Sequence, residues 1–242
     1  MSRVAEVLVV VPARDEEAVL GACLESVGRA GRRLAQERPD VRLEVVVVLD
    51  ACLDGSAAVA GRYPVTVLGC AAGRVGAARR RGVEFGLGRA LGREVPASAV
   101  WVANTDADSE VPDHWLIAQL LLAEAGHDLV VGSVEPADGL EPAVLAAWHA
   151  RHQLREGHRH VHGANLGVRA DAYLAAGGFP DLPIHEDVAL VERVRATGRP
   201  WVATDRARVR ASARRVGRAE GGFASYLAAL TTPPGLPGER AG

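Results

Sequence analysis

Lysine is absent from the 242-residue sequence, so all 28 basic residues are arginines. Its absence excludes the lysine of a phosphate-binding P-loop, the Schiff-base lysine of pyridoxal enzymes and any other catalytic lysine. If the protein binds a phosphate group, arginine side chains, backbone amides or a metal ion must therefore hold it.

Cysteine is scarce, and long hydrophobic segments are missing. The three cysteines (Cys23, Cys52 and Cys70) form no C-x-x-C pair, and no signal-peptide pattern precedes them. This is typical of reduced thiols in a cytoplasmic protein. No apolar run approaches the ~20 residues that a transmembrane helix needs. The net charge of −2 and the hydrophobic content of 48% indicate a globular protein without an electrostatic bias toward nucleic acid or membrane.

Two enzyme motifs are also missing. No G-x-G-x-x-G follows the first predicted strand, and Gly73 and Gly76 alone are weak evidence for a dinucleotide site, so a Rossmann dehydrogenase is not indicated. No serine lies in a G-x-S-x-G turn, which removes the support for a serine hydrolase.

Apolar runs and amphipathic segments alternate along the chain. The predicted strands, rich in β-branched residues, cover residues 5–11, 41–49, 65–68, 128–134 and 202–211, with another from Val100 to two aspartates. The predicted helices end near residues 34, 59, 91, 121, 155, 176, 196 and 230. This alternation predicts one α/β domain over residues 1–231, with a mostly parallel sheet and helices on both faces. Residues 232–242 are turn-rich and predicted to be disordered.

Acidic residues follow three of the predicted strands. The strand from Val100 stops at Asp106-Ala107-Asp108, and ligands of open α/β sheets bind outside the carboxyl ends of the strands. This spacing lets one carboxylate touch a divalent cation while the other reaches a neighbouring hydroxyl or a metal-bound water, and such hard oxygen ligands suit magnesium or manganese. The same residues, ahead of Val111-Pro112, are also typical of a helix N-terminus.

Taken in order, these motifs resemble the inverting family-two glycosyltransferases with the GT-A nucleotide-sugar-binding fold. The resemblance covers roughly Val4 to Thr231. Its parts are Val-Val-Pro-Ala-Arg-Asp-Glu-Glu after the first strand, Leu-Asp-Ala-Cys-Leu-Asp-Gly-Ser after the second, Ala78-Arg79-Arg80-Arg81-Gly82, Asp106-Ala107-Asp108, and Gly177-Gly178-Phe179 followed by Glu186-Asp187.

The resemblance implies a metal-dependent enzyme that moves a sugar from a nucleotide-diphosphate donor to an acceptor hydroxyl. Because the sequence has no predicted membrane helix, a small-molecule acceptor is expected rather than processive polysaccharide export, and a lipid acceptor at the membrane surface stays open. A UDP-sugar is the expected donor, and Mn²⁺ or Mg²⁺ the expected ion. Residues 1–110 would bind the nucleotide and residues 111–231 the acceptor. Two other functions stay open: a catalytically silent nucleotide-sugar-binding protein and a sugar nucleotidyltransferase.

The resemblance also implies roles for individual residues. Asp108 would coordinate the metal, and Asp106 would share that coordination or contact the ribose. Asp187 would be the general base that takes the proton of the acceptor hydroxyl, with Glu186 as its partner. The remaining nucleotide-binding candidates are Pro12, Arg14, Glu16, Asp50 and Arg79, and Asn165 matches a position near the donor sugar.

The sequence departs from the family pattern in two places. Asp50 is followed by Ala51 where many relatives carry a second acid, which leaves the nucleotide base open. No histidine occurs near residues 209–215, where a further metal ligand is sometimes found; His160, His162 and His185 are the candidate substitutes. Non-catalytic interpretations remain as well. Asp54 is typical of a helix N-cap, and Glu186 and Asp187 would also complement the positive end of a helix.

Overall fold

The computed structural model describes residues 3–152, 154–182 and 184–214, together with Leu227 and Leu230. A mixed eight-stranded sheet with the order β3-β2-β1-β4-β7-β6-β8-β5 forms its centre. In chain order the strands are β1 (Glu6–Ala13), β2 (Arg42–Asp50), β3 (Thr66–Cys70), β4 (Val100–Asn104), β5 (Ser109–Glu110), β6 (Leu129–Pro136), β7 (Leu166–Arg169) and β8 (Trp201–Ala211). Four pairings are parallel and three are antiparallel, and β7 runs antiparallel to both of its neighbours.

Helices cover both faces of the sheet. They are α1 (Leu20–Glu37), α2 (Ser56–Ala60), α3 (Val75–Gly92), α4 (Trp115–Glu124), α5 (Pro142–Arg151), α6 (Ala170–Ala175) and α7 (Glu186–Ala196). Successive side chains of β1 point to opposite faces, so Val9 packs in the core under α1 and α4 while Leu8 packs in the core under α3, α6 and α7. The predicted single α/β domain with helices on both faces is confirmed.

Helix α3 lies unusually close to the sheet because two of its glycines face β1. A Cβ atom at Gly82 would lie 2.6 Å from a methyl carbon of Val10, and one at Gly86 would lie 2.4 Å from Leu8. Arg79 precedes these glycines by three and seven residues and therefore shares their face of the helix. The close packing carries the Arg79 side chain into the protein, where it is 2% exposed.

Three predictions of local structure need correction or lie beyond the described residues. The helix after Asp108 begins only at Trp115, because Ser109 and Glu110 pair with β8, so the interpretation of this acidic turn as a helix N-terminus was wrong. The helix predicted up to residue 155 ends at Arg151. The helix predicted near residues 223–230 and the tail fall outside the described residues, apart from Leu227 and Leu230. Within the described ranges, no helix is long and apolar enough to cross a membrane.

Candidate active site

The acidic turn after β4 lies at the carboxyl edge of the sheet. The Asp106 and Asp108 side chains are 37% and 18% exposed. Burial, together with the negative charge of Asp106, raises the pKa of Asp108 to about 6. A cation close to this carboxylate would stabilise its ionised form, which favours ion binding at the turn.

Arg79 connects the acidic turn to helix α7. Its Nη2 donates a hydrogen bond to Asp106 Oδ1 (2.5 Å), and its Nη1 donates to the Gly163 carbonyl (3.0 Å). Its Nε lies 3.4 Å from Glu186 Oε1. Burial lowers the pKa of the guanidinium, but the carboxylates of Asp106, Glu186 and Asp187 outweigh this and raise it overall. Arg79 thus stays charged and fixes two acidic residues from distant parts of the chain.

Asp187 is held by two backbone amides. Its Oδ2 accepts a hydrogen bond from the Gly163 N–H (2.7 Å), and its Oδ1 accepts one from Val188 N–H at the start of α7 (2.8 Å). The second contact places the Asp187 carboxylate at the positive end of α7, as the helix-terminus interpretation predicted. It does not prevent proton transfer, since each carboxylate oxygen retains a second lone pair. Glu186 beside it is 5% exposed, and burial raises its pKa while Arg79 opposes that rise.

Gly163 is central to this arrangement because one peptide serves both charged side chains. Its carbonyl accepts from Arg79, and its amide donates to Asp187. A Cβ atom at this position would lie 2.5 Å from Arg79 Nη2, so the close approach requires glycine.

The first two loops meet around Gly73. Asp50 Oδ1 accepts a hydrogen bond from the Gly73 N–H (2.9 Å), and Arg14 Nη1 donates to the Gly73 carbonyl (3.3 Å). Pro12, in β1, lies in register with Val48 of β2. The predicted nucleotide-binding residues Pro12, Arg14 and Asp50 therefore border one another at the carboxyl edge of β1 and β2.

Asp54 binds backbone rather than ligand in this structure. Its two carboxylate oxygens accept hydrogen bonds from Ser56 N–H and Glu17 N–H, each at 2.9 Å. Ser56 is the first residue of α2, and Gly55 occupies the N-cap position that was predicted for Asp54. Asp54 lies one residue before the N-cap and still accepts a hydrogen bond from an amide at the helix terminus.

Asn165 has a structural role in the core. Its amide nitrogen donates to the carbonyls of Ser133 and Ala207, both at 2.8 Å, and its oxygen accepts from Trp115 Nε1 (2.9 Å). These bonds join β6, β8 and α4, and they use both hydrogens of the amide nitrogen. The interpretation of Asn165 as a donor-sugar contact is therefore not supported by its geometry.

Arg214 is a site residue that the sequence interpretation missed. It follows β8, and its two terminal nitrogens donate to the Glu16 carboxylate at 2.6 and 2.7 Å. Nη2 also lies 2.9 Å from Asp108 Oδ2. Relatives sometimes carry a metal-binding histidine near residues 209–215, and this chain has none there. The presence of an arginine in the same interval was the sequence signal that could have indicated a charged site residue.

Four histidines form a cluster between α5 and the segment before Gly163. His152 stacks on Trp148 with ring centroids 4.4 Å apart, and His160 lies 4.5 Å from His152. His158 and His162 extend the cluster at centroid distances of 6.4 and 6.3 Å from His160. Burial and the neighbouring histidines lower the pKa of His162 to about 3. Burial also lowers the pKa of His152 and His160. His162, whose neutral form is thereby favoured, directly precedes Gly163, the residue that holds Asp187.

The histidines proposed as metal ligands do not form a compact set of ligand atoms. Among the described residues, the single group of three potential ligands within 4.8 Å of one another is Asp15, Cys52 and Asp54. His160 and His162 do not belong to such a group, and neither does His185, whose φ of 61° places it in the left-handed region. Within the described ranges, none of these histidines therefore completes a compact ligand group with Asp106 and Asp108.

The histidine cluster predicts a loss of stability in acid. The unfolded chain protonates His162 as the pH falls below about 6.5, whereas the folded chain resists protonation until about pH 3. Folding stability from this group is therefore present above pH 6.5 and is lost as the pH falls toward 3. We expect the melting temperature to fall between pH 7 and pH 5, and His162→Asn to flatten that dependence. His185→Asn, which changes an exposed histidine, is the control. If His185→Asn weakened the pH dependence of the melting temperature as much as His162→Asn does, the attribution of that dependence to His162 would be contradicted.

The site thus combines a mixed α/β sheet with an Asp-Ala-Asp turn after β4, and Arg79 links this turn to the acids at the start of α7. Residues 8–166 match the model of Glycosyl transferase family 2. The match spans more than half of the chain, and the chain belongs to this family. Comparison with curated protein sequences gave no match.

Solved structures share the fold at low sequence identity. TarS residues 1–349 from S. aureus in complex with UDP-GlcNAc aligns with a TM-score of 0.62 and 15% identity, over 90% of this chain and 61% of TarS 1–349. The mannosyltransferase PcManGT from Pyrobaculum calidifontis, in complex with GDP-Man and Mn²⁺, aligns with a TM-score of 0.57 and 22% identity, over 88% of this chain and 58% of PcManGT. GalNAc-T7 with UDP, GalNAc and Mn²⁺ aligns with a TM-score of 0.60 and 13% identity, over 91% of this chain and 45% of GalNAc-T7. The chain thus spans less than two thirds of each of these proteins.

Proposed function

We propose that this protein is an inverting, divalent-cation-dependent glycosyltransferase that moves a sugar from a nucleotide-diphosphate donor, a UDP-sugar, to a small-molecule acceptor hydroxyl. The observation that carries the proposal is the buried Arg79. It joins Asp106, on the donor side, to the α7 terminus that presents Asp187. One charged side chain thereby holds the proposed leaving-group site and the proposed base in a fixed relation.

The donor class is supported by two kinds of observation. The similar structures TarS and GalNAc-T7 contain UDP-GlcNAc and UDP, whereas PcManGT contains GDP-Man. In this chain, the Asp50 and Arg14 side chains flank Gly73 at the carboxyl edge of the sheet. A carboxylate there can accept the imide hydrogen of uracil or a ribose hydroxyl, which agrees with residues 1–110 forming the nucleotide-binding half.

The acidic turn fits a divalent cation. One oxygen of Asp106 faces Arg79 and one oxygen of Asp108 faces Arg214, and each carboxylate has a second oxygen. Two hard oxygen ligands are typical of Mg²⁺ or Mn²⁺ sites that substrate phosphates and water complete. Asp108, assisted by Asp106, would hold the ion. When bound, it would neutralise the charge of the diphosphate leaving group.

Proton transfer and the positioning of the reacting groups are assigned to residues of the chain itself. Asp187 takes the proton of the acceptor hydroxyl while that oxygen attacks the anomeric carbon and the bond to the donor phosphate breaks on the opposite side. Backbone amides of Gly163 and Val188 orient the carboxylate. Glu186 and Arg79 fix the helix terminus relative to the acidic turn. Attack from the face opposite the leaving group inverts the anomeric configuration.

The acceptor half, residues 111–231, contains the histidine cluster. Burial lowers the pKa of His152, His160 and His162, and neutral imidazoles both donate and accept hydrogen bonds, as a hydroxylated small-molecule acceptor requires. The silent-binding alternative predicts donor affinity without transfer or donor hydrolysis. A nucleotidyltransferase would turn over a nucleoside triphosphate and a sugar phosphate.

Binding of nucleotide diphosphates tests the proposal. We expect one member of a panel of UDP, GDP, dTDP and ADP to bind in calorimetry at least tenfold more tightly with Mn²⁺ than without it. Asp108→Ala is expected to remove most of this Mn²⁺ effect, because it removes the principal ion ligand. Asp113→Ala, an exposed acid paired with Arg29 on the surface, is the matched control and should behave as wild type. Absence of binding by all four nucleotides would overturn the proposed donor class.

A further inference from the structure

Arg214, which belongs to the second half of the chain, lies in the acidic site. Its guanidinium binds Glu16 through both terminal nitrogens (2.6 and 2.7 Å) and reaches Asp108 Oδ2 at 2.9 Å. The backbone supports this position, since Ser212 N–H donates to the Asp108 carbonyl (3.0 Å) and Arg214 N–H donates to Ser212 Oγ (3.3 Å). Arg214 is therefore placed against the carboxylate that would bind the metal.

The two arginines of the site differ in burial. Arg79 lies on a helix, is 2% exposed and contacts Asp106, Glu186 and the Gly163 carbonyl. Arg214 lies beyond the end of β8 and is 29% exposed. Both guanidinium groups remain charged at any working pH. Arg79 is thus enclosed by the site, whereas Arg214 can be reached from solvent, and therefore by a ligand.

We propose that Arg214 is a built-in counter-cation that competes with the divalent ion for Asp108, so that the ion binds tightly only when a donor diphosphate is present. This proposal rests on the proposed function. A divalent ion that approaches Asp108 in the donor-free protein meets a guanidinium already paired with that carboxylate, and like charges at this distance repel. Free ion is therefore held weakly.

A diphosphate removes this conflict. Guanidinium groups form paired hydrogen bonds to phosphate oxygens as readily as to carboxylates. The donor thus gives Arg214 a second partner close to the first, and Asp108 becomes available to the ion. Ion and donor then bind with positive coupling, and each raises the affinity of the other by the same factor.

The exchange adds no net charge to the site, because the charges of a divalent ion and of the donor diphosphate cancel. Without donor, Arg214 is the cation that Asp108 and Glu16 share. With donor, the ion compensates Asp108 and the diphosphate while the guanidinium takes part of the added phosphate charge. Glu16, which the sequence analysis placed in the nucleotide site, acts in this proposal as the anchor that keeps Arg214 nearby. It is 6% exposed, and its backbone amide is fixed by Ser56 Oγ (2.9 Å).

The test is the affinity of Mn²⁺ for the donor-free protein, measured by electron paramagnetic resonance of the free ion. We expect wild type to bind Mn²⁺ weakly and Arg214→Gln to bind it at least tenfold more tightly. Arg210→Gln is the matched control, because Arg210, near the end of β8, pairs with the exposed Asp138. Addition of Asp108→Asn to Arg214→Gln should abolish the gain, which locates the ion at the acidic turn.

The proposal fails if Arg214→Gln leaves Mn²⁺ affinity unchanged or lowers it. It also fails, without reference to any Arg214 variant, if donor-free wild type binds Mn²⁺ at micromolar concentration in a manner that Asp108→Asn abolishes. Addition of UDP to wild type should raise Mn²⁺ affinity by a larger factor than in Arg214→Gln. If no nucleotide diphosphate binds, the proposed function is wrong, yet the donor-free comparison still decides whether Arg214 competes with the ion.

Discussion

Asp187→Asn is expected to reduce sugar transfer by about 10²- to 10⁴-fold, the range that a positioned general base contributes, while donor affinity stays within a few fold. The asparagine keeps the size of the side chain, and its oxygen can still accept the Gly163 N–H bond that positions Asp187 Oδ2. It cannot take the proton of the acceptor hydroxyl. The loss should therefore appear in kcat and leave the calorimetric affinity for the donor nearly intact.

The controls separate this role from a helix-terminal one. Asp181→Asn changes an exposed acid that pairs with Arg74 outside the site, and it should retain activity. If the helix-terminus contact to Val188 were the whole function of Asp187, the variant would lose stability in proportion to activity. A parallel fall of donor affinity in Asp187→Asn and Asp108→Ala would also contradict the separation of base and metal ligand.

Arg79→Ala is expected to lower the free energy of unfolding by about 3–5 kcal/mol, the loss typical of removing one partner from a buried ion pair. The substitution leaves Glu186, 5% exposed, and Asp106 without their common guanidinium and removes the donor to the Gly163 carbonyl. It also opens space beside Phe179, whose ring centre lies 5.8 Å from the guanidinium carbon. Chemical denaturation followed by circular dichroism measures the change.

Arg81 offers the matched control on the same helix. It is exposed and donates one hydrogen bond to the Gly69 carbonyl (3.1 Å), so Arg81→Ala should change the unfolding free energy by about 0.5 kcal/mol or less. A combined Arg79→Met, Asp106→Asn and Glu186→Gln variant should recover part of the lost stability, because no unpaired charge remains buried. A loss below about 1 kcal/mol for Arg79→Ala would show that water replaces the guanidinium without cost.

Long strands and helices could be predicted from the sequence because their patterns are local. Strand β1 is a β-branched run buried along its whole length, and α1 repeats apolar residues at helical spacing. Strand β7 was missed because it has four residues, one of them Gly167, and ends in a buried arginine, Arg169, that pairs with Asp128. Strand β5 has two residues and exists through its pairing with β8. Neither has a local pattern long enough to recognise.

The site shows the same division between local and distant information. The acids at 106, 108 and 187 lie in short motifs, and the sequence alone placed them as candidates. The partners of those acids depend on the fold. Arg214 reaches Glu16 across 198 residues, and Arg79 reaches Gly163 across 84. No spacing rule connects such pairs, so the contacts that fix the acids could not be predicted.

The position of β7 between β4 and β6 has a consequence for synthesis of the chain on the ribosome. Strand β4 pairs with β1 on one side, but its other side stays uncovered until Leu166–Arg169 have left the exit tunnel. Ribosomes add about 5–20 residues per second, so the unpaired edge of β4, a strand whose residues are all buried in the folded protein, is exposed for on the order of several seconds. Such edges invite pairing with other chains. We therefore expect the first 110 residues, expressed alone, to aggregate through this edge instead of forming a free nucleotide-binding unit.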